Sequence, residues 1–286
     1  MLFKPDRQTP KVLLVLHGNG TSSIFYHVEK NKIMAEKLLS KGIAYFPFNN
    51  RGAHLIKRLE KINEKGQIEK QNYGTAYEQI KDCIIDIDSA LDFLKTQGYR
   101  EFYLLGYSTG ANKICVYNYY QPDNPISKFI LAGGGDDTGL FYQQVKNKTR
   151  FCKFLSQAKT MIKQGKGQKF IPKYILDYPM SYQAYFDTAN PDGDYNVFPF
   201  YEALNKTKLS SKKLFREYLS LKKPTLVVYG QNDEYCYGRV EEAVNILKKQ
   251  TALQDNYSYQ IIPGADHGFS QHNQELASLV SDWLIE

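Results

Sequence analysis

Three residue types that together can activate an oxygen nucleophile occur in this chain in a workable order. A serine lies between glycines at 106–110 (GYSTG), an aspartate follows at Asp233 (YGQNDEYC), and a histidine at His267 (PGADHGFS). A serine hydroxyl alone is a weak nucleophile. It needs a base to take its proton, normally an imidazole, and a carboxylate that orients the imidazole and stabilises its charged form. The glycine-serine pattern carries little weight by itself, because three fixed residues in five recur by chance in about one chain in ten of this length. Its surroundings decide: a strand leading in, a helix leading out, and the base and acid at the same sheet edge.

Five histidines keep the search for the base short. His17 ends an apolar run before Gly18 and reads as loop support, His27 falls in a helical stretch, His54 follows a turn, and His272 begins the last helix. His267 sits in a glycine-bounded loop directly after the last apolar strand. Asp233 also follows a strand and a glycine turn, which puts it on the same edge. Asp136 and Asp137 follow a different strand and could approach the base from that side; Glu234 is a lesser alternative, and Asp266 adjoins His267, where neighbouring side chains diverge. A tetrahedral intermediate carries an oxyanion. Its donors are expected from the backbone N–H of Thr109, at the positive end of the helix after the serine, and of Asn19, in the loop HGNGTSS. The other reading of that loop is a plain tight turn.

Short β-branched or aromatic runs at 11–17, 43–48, 101–106, 128–132, 225–230 and 257–262 alternate with helical patterns at 26–40, 76–96, 111–120, 240–249 and 273–285. This predicts an α/β fold with a mostly parallel central sheet of about six strands flanked by helices. Gly106 and Gly110 stand where the chain must reverse from strand to helix, and side chains there would meet neighbouring backbone. Open α/β sheets bind ligands at the strands' carboxyl edge, where this reversal would expose Ser108. The residues before 76 read as a polar loop rich in Lys and Glu. The alternation breaks after the fourth strand, giving a predicted core of 1–137, an insertion or cap of 138–223, and a second core part of 224–286.

No apolar run approaches the length of a membrane span, and MLFKPDRQTP lacks a signal-peptide core. Four cysteines without a CxxC pair suggest neither a zinc ribbon nor a disulfide framework. Cytoplasm is the expected compartment, with no cofactor or metal. The formal charge of +7 resides in 138–173, where Lys146, Lys148, Arg150, Lys153, Lys159, Lys163, Lys166, Lys169 and Lys173 occur without an Asp or Glu. No nucleic-acid motif accompanies them, so nucleic acid is not an expected partner. Phe141, Val145, Cys152, Leu155, Ala158 and Ile162 fall near one helical face. The expectation is a cap helix packed on the core with a solvated basic face; steering of anionic substrates and contact with an acidic membrane surface are the sharper alternatives. The aromatic-rich stretch 177–204 lines a pocket or fills a cap short of aliphatic residues.

With LHGNG, NNRG, LLGYSTG, GQNDE and GADHGF in order, the chain resembles the α/β-hydrolase superfamily. It looks most like the serine esterase, acylglycerol lipase and serine aminopeptidase branch, in which a D-x-R-G stretch stands where this chain has Asn49-Asn50-Arg51-Gly52. The elbow is also similar to that of fungal siderophore-ester hydrolases. HGNGTSS is close to a haloalkane dehalogenase loop, but those enzymes place aspartate, and dienelactone hydrolases cysteine, at the position of Ser108. Only ten residues precede the first strand, so the antiparallel strands that often open this fold are expected to be missing. The resemblance implies a metal-independent serine hydrolase with Ser108, Asp233 and His267 as its triad, acting on a small-molecule ester, anionic or lipid-like. A peptidase or amidase using the same triad, a non-catalytic binding protein, and an interaction module acting through the basic segment are the alternatives.

Overall fold

Strand β1 (Lys11–Leu16) is buried at every position after Lys11, as expected of a parallel strand covered on both faces. With β2 (Ala44–Phe48), β5 (Glu101–Tyr107), β6 (Ile126–Ala132), β7 (Thr225–Gly230) and β8 (Tyr257–Ile262) it forms a sheet in the order β2-β1-β5-β6-β7-β8. Every neighbouring pair is parallel. The computed structural model describes residues 1–20 and 22–286, so Thr21 of the HGNGTSS loop lies outside the described residues. All six strands read from the sequence are present, and the sheet confirms the expected fold class.

Alternation along the strands splits the core in two. Val12, Leu14, Leu16 and Leu104 face one side, covered by α2 (Asp82–Thr96), α3 (Thr109–Tyr120) and α8 (Val240–Gln250). Leu13, Val15, Leu105, Ile130 and Val228 face the other, covered by α1 (Val28–Ser40) and α9 (Asn273–Ile285). The strand order reverses direction at β1 and β5, and the loops after these two strands carry Asn19 and Ser108. Among the described residues, no helix is long and apolar enough to cross a membrane.

Two expectations before residue 82 need correction. The polar stretch before residue 76 is not loop: β3 (Lys57–Ile62) and β4 (Ile68–Tyr73) pair as an antiparallel hairpin. Both strands are almost wholly exposed, so no apolar alternation marks them. The usable signal was the turn Asn63-Glu64-Lys65-Gly66, where Gly66 takes a positive φ and the Asn63 side chain accepts from the N–H groups of Lys65 and Gln67. The helix expected from 76 begins only at Asp82. Its would-be first turns are bonded elsewhere: the N–H of Ala76 donates to Leu55, its carbonyl accepts from Ser181, and the N–H of Ile80 donates to the Asp187 carboxylate.

Between β6 and β7 run α4 (Asp137–Val145), α5 (Lys148–Lys163), α6 (Tyr182–Ala189) and α7 (Phe200–Leu204). The chain breaks at Lys146, which has φ 50, and Asn147, which caps α5 through Arg150 N–H. A single helical face therefore does not run from Phe141 through α5. In α5 Ala158 is buried as expected, with Phe151 and Phe154 beside it, whereas Cys152 is exposed. They join Phe141, Met180, Tyr182 and Tyr185 in a separate apolar cluster, whereas Tyr195, Phe198, Phe200 and Tyr218 pack into the main core. All nine cations of 138–173 are exposed.

Room for a side chain against neighbouring backbone is smallest at the β5–α3 junction. A Cβ on Gly106 would lie 2.3 Å from backbone C and O of Gly110, and one on Gly110 would lie 2.5 Å from Leu16 O. Gly106→Ala is therefore expected to cost about 3 kcal/mol or more in denaturant unfolding. Gly167→Ala, where the nearest atoms are 3.5 Å away, should change stability by under about 0.5 kcal/mol.

Candidate active site

Ser108 occupies the turn between β5 and α3 with φ 53 and ψ −127, a backbone conformation that costs a residue with a side chain about 1–3 kcal/mol. Its N–H donates to Ala132 O at the end of β6 (2.8 Å), and its carbonyl accepts from Ala111 N–H (2.8 Å). With Gly106 and Gly110 allowing close approach below, these bonds leave the side chain as the outward part of the reversal. The N–H of Thr109, in the first turn of α3, and the N–H of Asn19 find no acceptor among the described residues. Asn19 is itself fixed: its Nδ2 donates to the Tyr195 hydroxyl (2.9 Å) and its Oδ1 accepts from Gly20 N–H (2.8 Å).

Asp233 is buried, and its two carboxylate oxygens have separate partners. Oδ1 accepts from Tyr235 N–H (3.0 Å) and Oδ2 from His267 Nδ1 (2.9 Å). That bond puts the proton on Nδ1 and leaves Nε2 as the free ring nitrogen. His267 is hemmed in further on its ring and its backbone. Tyr235 meets its ring edge-on at 4.5 Å, Glu234 accepts from the His267 backbone N–H (3.1 Å), and a Cβ on Gly133 would lie 3.3 Å from the ring. Among the described residues no hydrogen bond joins Ser108 Oγ to Nε2, a contact that often tightens only when substrate is bound. Ser108 and His267 nevertheless line the same two cavities.

The competing carboxylates are engaged elsewhere. Asp136 caps α4, accepting from Gly139 N–H, Tyr201 N–H and the Tyr237 hydroxyl, and burial pushes its pKa up to about 7. Asp137 accepts from the Thr109 hydroxyl (3.2 Å); burial raises its pKa to about 6, with the Thr109 bond working against the rise. Asp266 accepts from Ser270 N–H. Glu234 reaches the His267 backbone, not its ring.

The two cavities flank Ser108. One, of about 240 Å³, runs toward α1 past Ile24, Pro47 and Tyr107 to His27 and Lys30. The other, of about 390 Å³, runs under the insertion past Leu140, Phe141, Tyr178 and Asp137. Of the aromatic stretch 177–204, only Tyr178 lines it; Tyr182, Tyr185, Tyr195, Phe198 and Phe200 fill apolar clusters. Among the described residues, no three His, Cys, Asp or Glu side chains are grouped to hold a metal ion.

A polar group missed in the sequence underlies the site. Lys113, one turn into α3 and fully buried, donates to Glu78 (2.6 Å) and Asn50 (3.2 Å). Removing one partner of such a pair typically costs about 3–5 kcal/mol, because the other charge stays buried. A lysine inside a helix buried from Thr109 to Asn118 was the available signal. Beside it, His17 donates from Nδ1 to Gly18 O (2.8 Å), and burial, helped by the Lys113 ammonium, drives its pKa down to about 3.

A family model described as "Protein of unknown function (DUF1749)" matches residues 71–286. No curated protein matches the sequence significantly. Among solved structures, Est1E from Butyrivibrio proteoclasticus with bound ferulic acid aligns at 16% identity and TM-score 0.56, covering 100% of this chain and 93% of that one. The Paleococcus ferrophilus monoacylglycerol lipase aligns at 17% and 0.56, covering 100% and 97%. A soluble variant of Saccharomyces cerevisiae monoglyceride lipase, in complex with a substrate analogue, aligns at 15% and 0.56, covering 99% and 90%. These likenesses establish the α/β-hydrolase fold.

The neutrality of His17 has a measurable consequence. Below its ordinary value of 6.5 the unfolded chain takes up a proton that the native site refuses until about pH 3. Stability from this residue therefore falls with acidification, by up to about 1.4 kcal/mol per pH unit. Asp136, whose raised pKa holds a proton in the native state, acts in the opposite sense between its ordinary 3.8 and about 7. The stability difference between the natural protein and His17→Asn isolates the imidazole: it should be flat above pH 7.5 and shrink steadily from pH 6 to 4.5 in urea titrations. A pH-independent difference would contradict the assignment.

Proposed function

We propose that this chain, which belongs to the DUF1749 family of proteins of unknown function, is a serine hydrolase that cleaves carboxylic esters. The carrying observation is the Asp233–His267 bond beside two cavities that Ser108 also lines. Ser108 Oγ attacks the ester carbonyl carbon while His267 Nε2 takes its proton. The oxyanion that forms is met by the N–H groups of Asn19 and Thr109, each such donor being worth about 2.7–4 kcal/mol in comparable sites. Collapse breaks the bond to the alkoxide, which leaves as the alcohol with the proton from Nε2. Water, deprotonated by the same nitrogen, then attacks the acyl-enzyme and releases the acid and the serine. Asp233 keeps Nδ1 protonated throughout and stabilises the imidazolium.

Ester chemistry follows the precedent of the neighbours: Est1E is seen with ferulic acid, and two others are monoacylglycerol lipases. The segment 138–223 serves as the cap in this reading. Leu140, Phe141 and Tyr178 wall one cavity, and Phe141 also belongs to the segment's own apolar cluster. Its nine exposed cations make no ion pair among the described residues and would attract an anionic substrate.

Turnover of p-nitrophenyl butyrate tests the proposal. Ser108→Ala should lower kcat by about four orders of magnitude or more, and Asp233→Asn by about three to four, with unchanged melting. Near-normal turnover in Ser108→Ala would refute it.

A further inference from the structure

The cavity on the α1 side of Ser108 has an unusual lining. It contains an ammonium, Lys30, and three imidazoles, His17, His27 and His267, but no Asp or Glu among the described residues. Asp137 lies only in the opposite cavity. Lys30 Nζ donates to Gly268 O (3.0 Å), sits over the Tyr107 ring at 3.7 Å from its centroid, and lies 5.6 Å from that of Phe269. All three partners are uncharged. No carboxylate stands within ion-pair distance among the described residues; Asp266 acts on it only through its more distant field. The ammonium is thus a half-buried cation lacking a counter-ion, next to the residue before Ser108 and the residue after His267.

The carbonyl and the rings hold the ammonium but carry no charge to balance it, which leaves that place to an anion. Burial pulls Lys30 down to about 7, so near neutrality it holds its proton only in part; an anion beside it would restore the charge. Partial burial, and then Lys30 itself, lower the pKa of His27, and His17 is neutral as described. The Tyr107 hydroxyl is buried without a hydrogen-bond partner, and burial keeps it protonated as a donor.

We propose that this cavity is a carboxylate subsite: the substrate is an ester with one short arm that ends in an anionic group held by Lys30. The arm is short because Nζ contacts the immediate neighbours of the nucleophile and the base. The second cavity, with Asp137, takes the other, uncharged or hydrogen-bond-donating arm. This deepens the serine-hydrolase reading and rests on it for the position of the scissile bond.

Equilibrium binding to the Ser108→Ala protein, where turnover does not intervene, tests the subsite. Two matched pairs place the charge on either arm: monoethyl glutarate against ethyl glutaramate, and 3-(butanoyloxy)propanoate against its propanamide. At least one anionic ester should bind about tenfold tighter than its amide partner, the scale of one charge-assisted hydrogen bond. Adding Lys30→Met, or Lys30→Gln as the second variant, should bring that ratio to about one. Ratios near one with Lys30 present, a ratio that survives its replacement, or no binding by any of the four overturns the proposal. Equal weakening of all four marks Lys30 as a mere brace for Gly268 and overturns it too. The hydrolase reading fails separately, if the natural protein releases neither alcohol nor acid from any of them.

Discussion

The reversal at Ser108 constrains the rest of the molecule around it. A strand running to the sheet edge must become a helix within two residues, and this requires a positive φ at a residue that has a side chain. The cost is offset by bonds from the Ser108 peptide to Ala132 and Ala111, and by the absence of side chains at Gly106 and Gly110. Leu16 O lies against Gly110, so the end of β1 is set by the same junction, and with it the start of the HGNG loop. The reversal thereby fixes the serine, the N–H of Thr109 and the approach of Asn19 together. A change in any of these moves all of them.

Beneath the reversal, charge is used where apolar packing would be expected. The buried Lys113–Glu78 pair, with Asn50 as third partner, ties α3 to the NNRG turn and to the segment before α2. Arg51 in the same turn pairs with Asp82 and Asp86. Such a pair adds little net stability when its desolvation is counted. What it does here is geometric: α3 and two loops share one cation, and that cation helps burial keep His17 neutral.

The strands and most helices were legible because periodicity records burial, and the sheet is buried on both faces. Ser108, Asp233 and His267 were legible as candidates because each lies in the loop or turn that follows a strand, so one rule about the sheet's carboxyl edge locates all three. The hairpin Lys57–Tyr73 was not, since exposed strands carry no burial pattern. Nor was the start of α2, where tertiary bonds from Leu55, Ser181 and Asp187 capture the backbone. Lys113 was visible as an anomaly in an apolar helix but without its partners, which come from distant loops. Lys30 gave no signal at all: among the charged residues of α1 only the fold shows that it turns toward the nucleophile.

On this account the molecule is a rigid edge carrying a Ser108–His267–Asp233 set between two chemically different cavities, one cationic and one acidic. The most direct measurement is mass mapping of the intact natural protein after reaction with a fluorophosphonate, which bonds only to an activated serine. One adduct per chain is expected, on the peptide that contains Ser108. No adduct, or an adduct elsewhere with Ser108 unmodified, would contradict it.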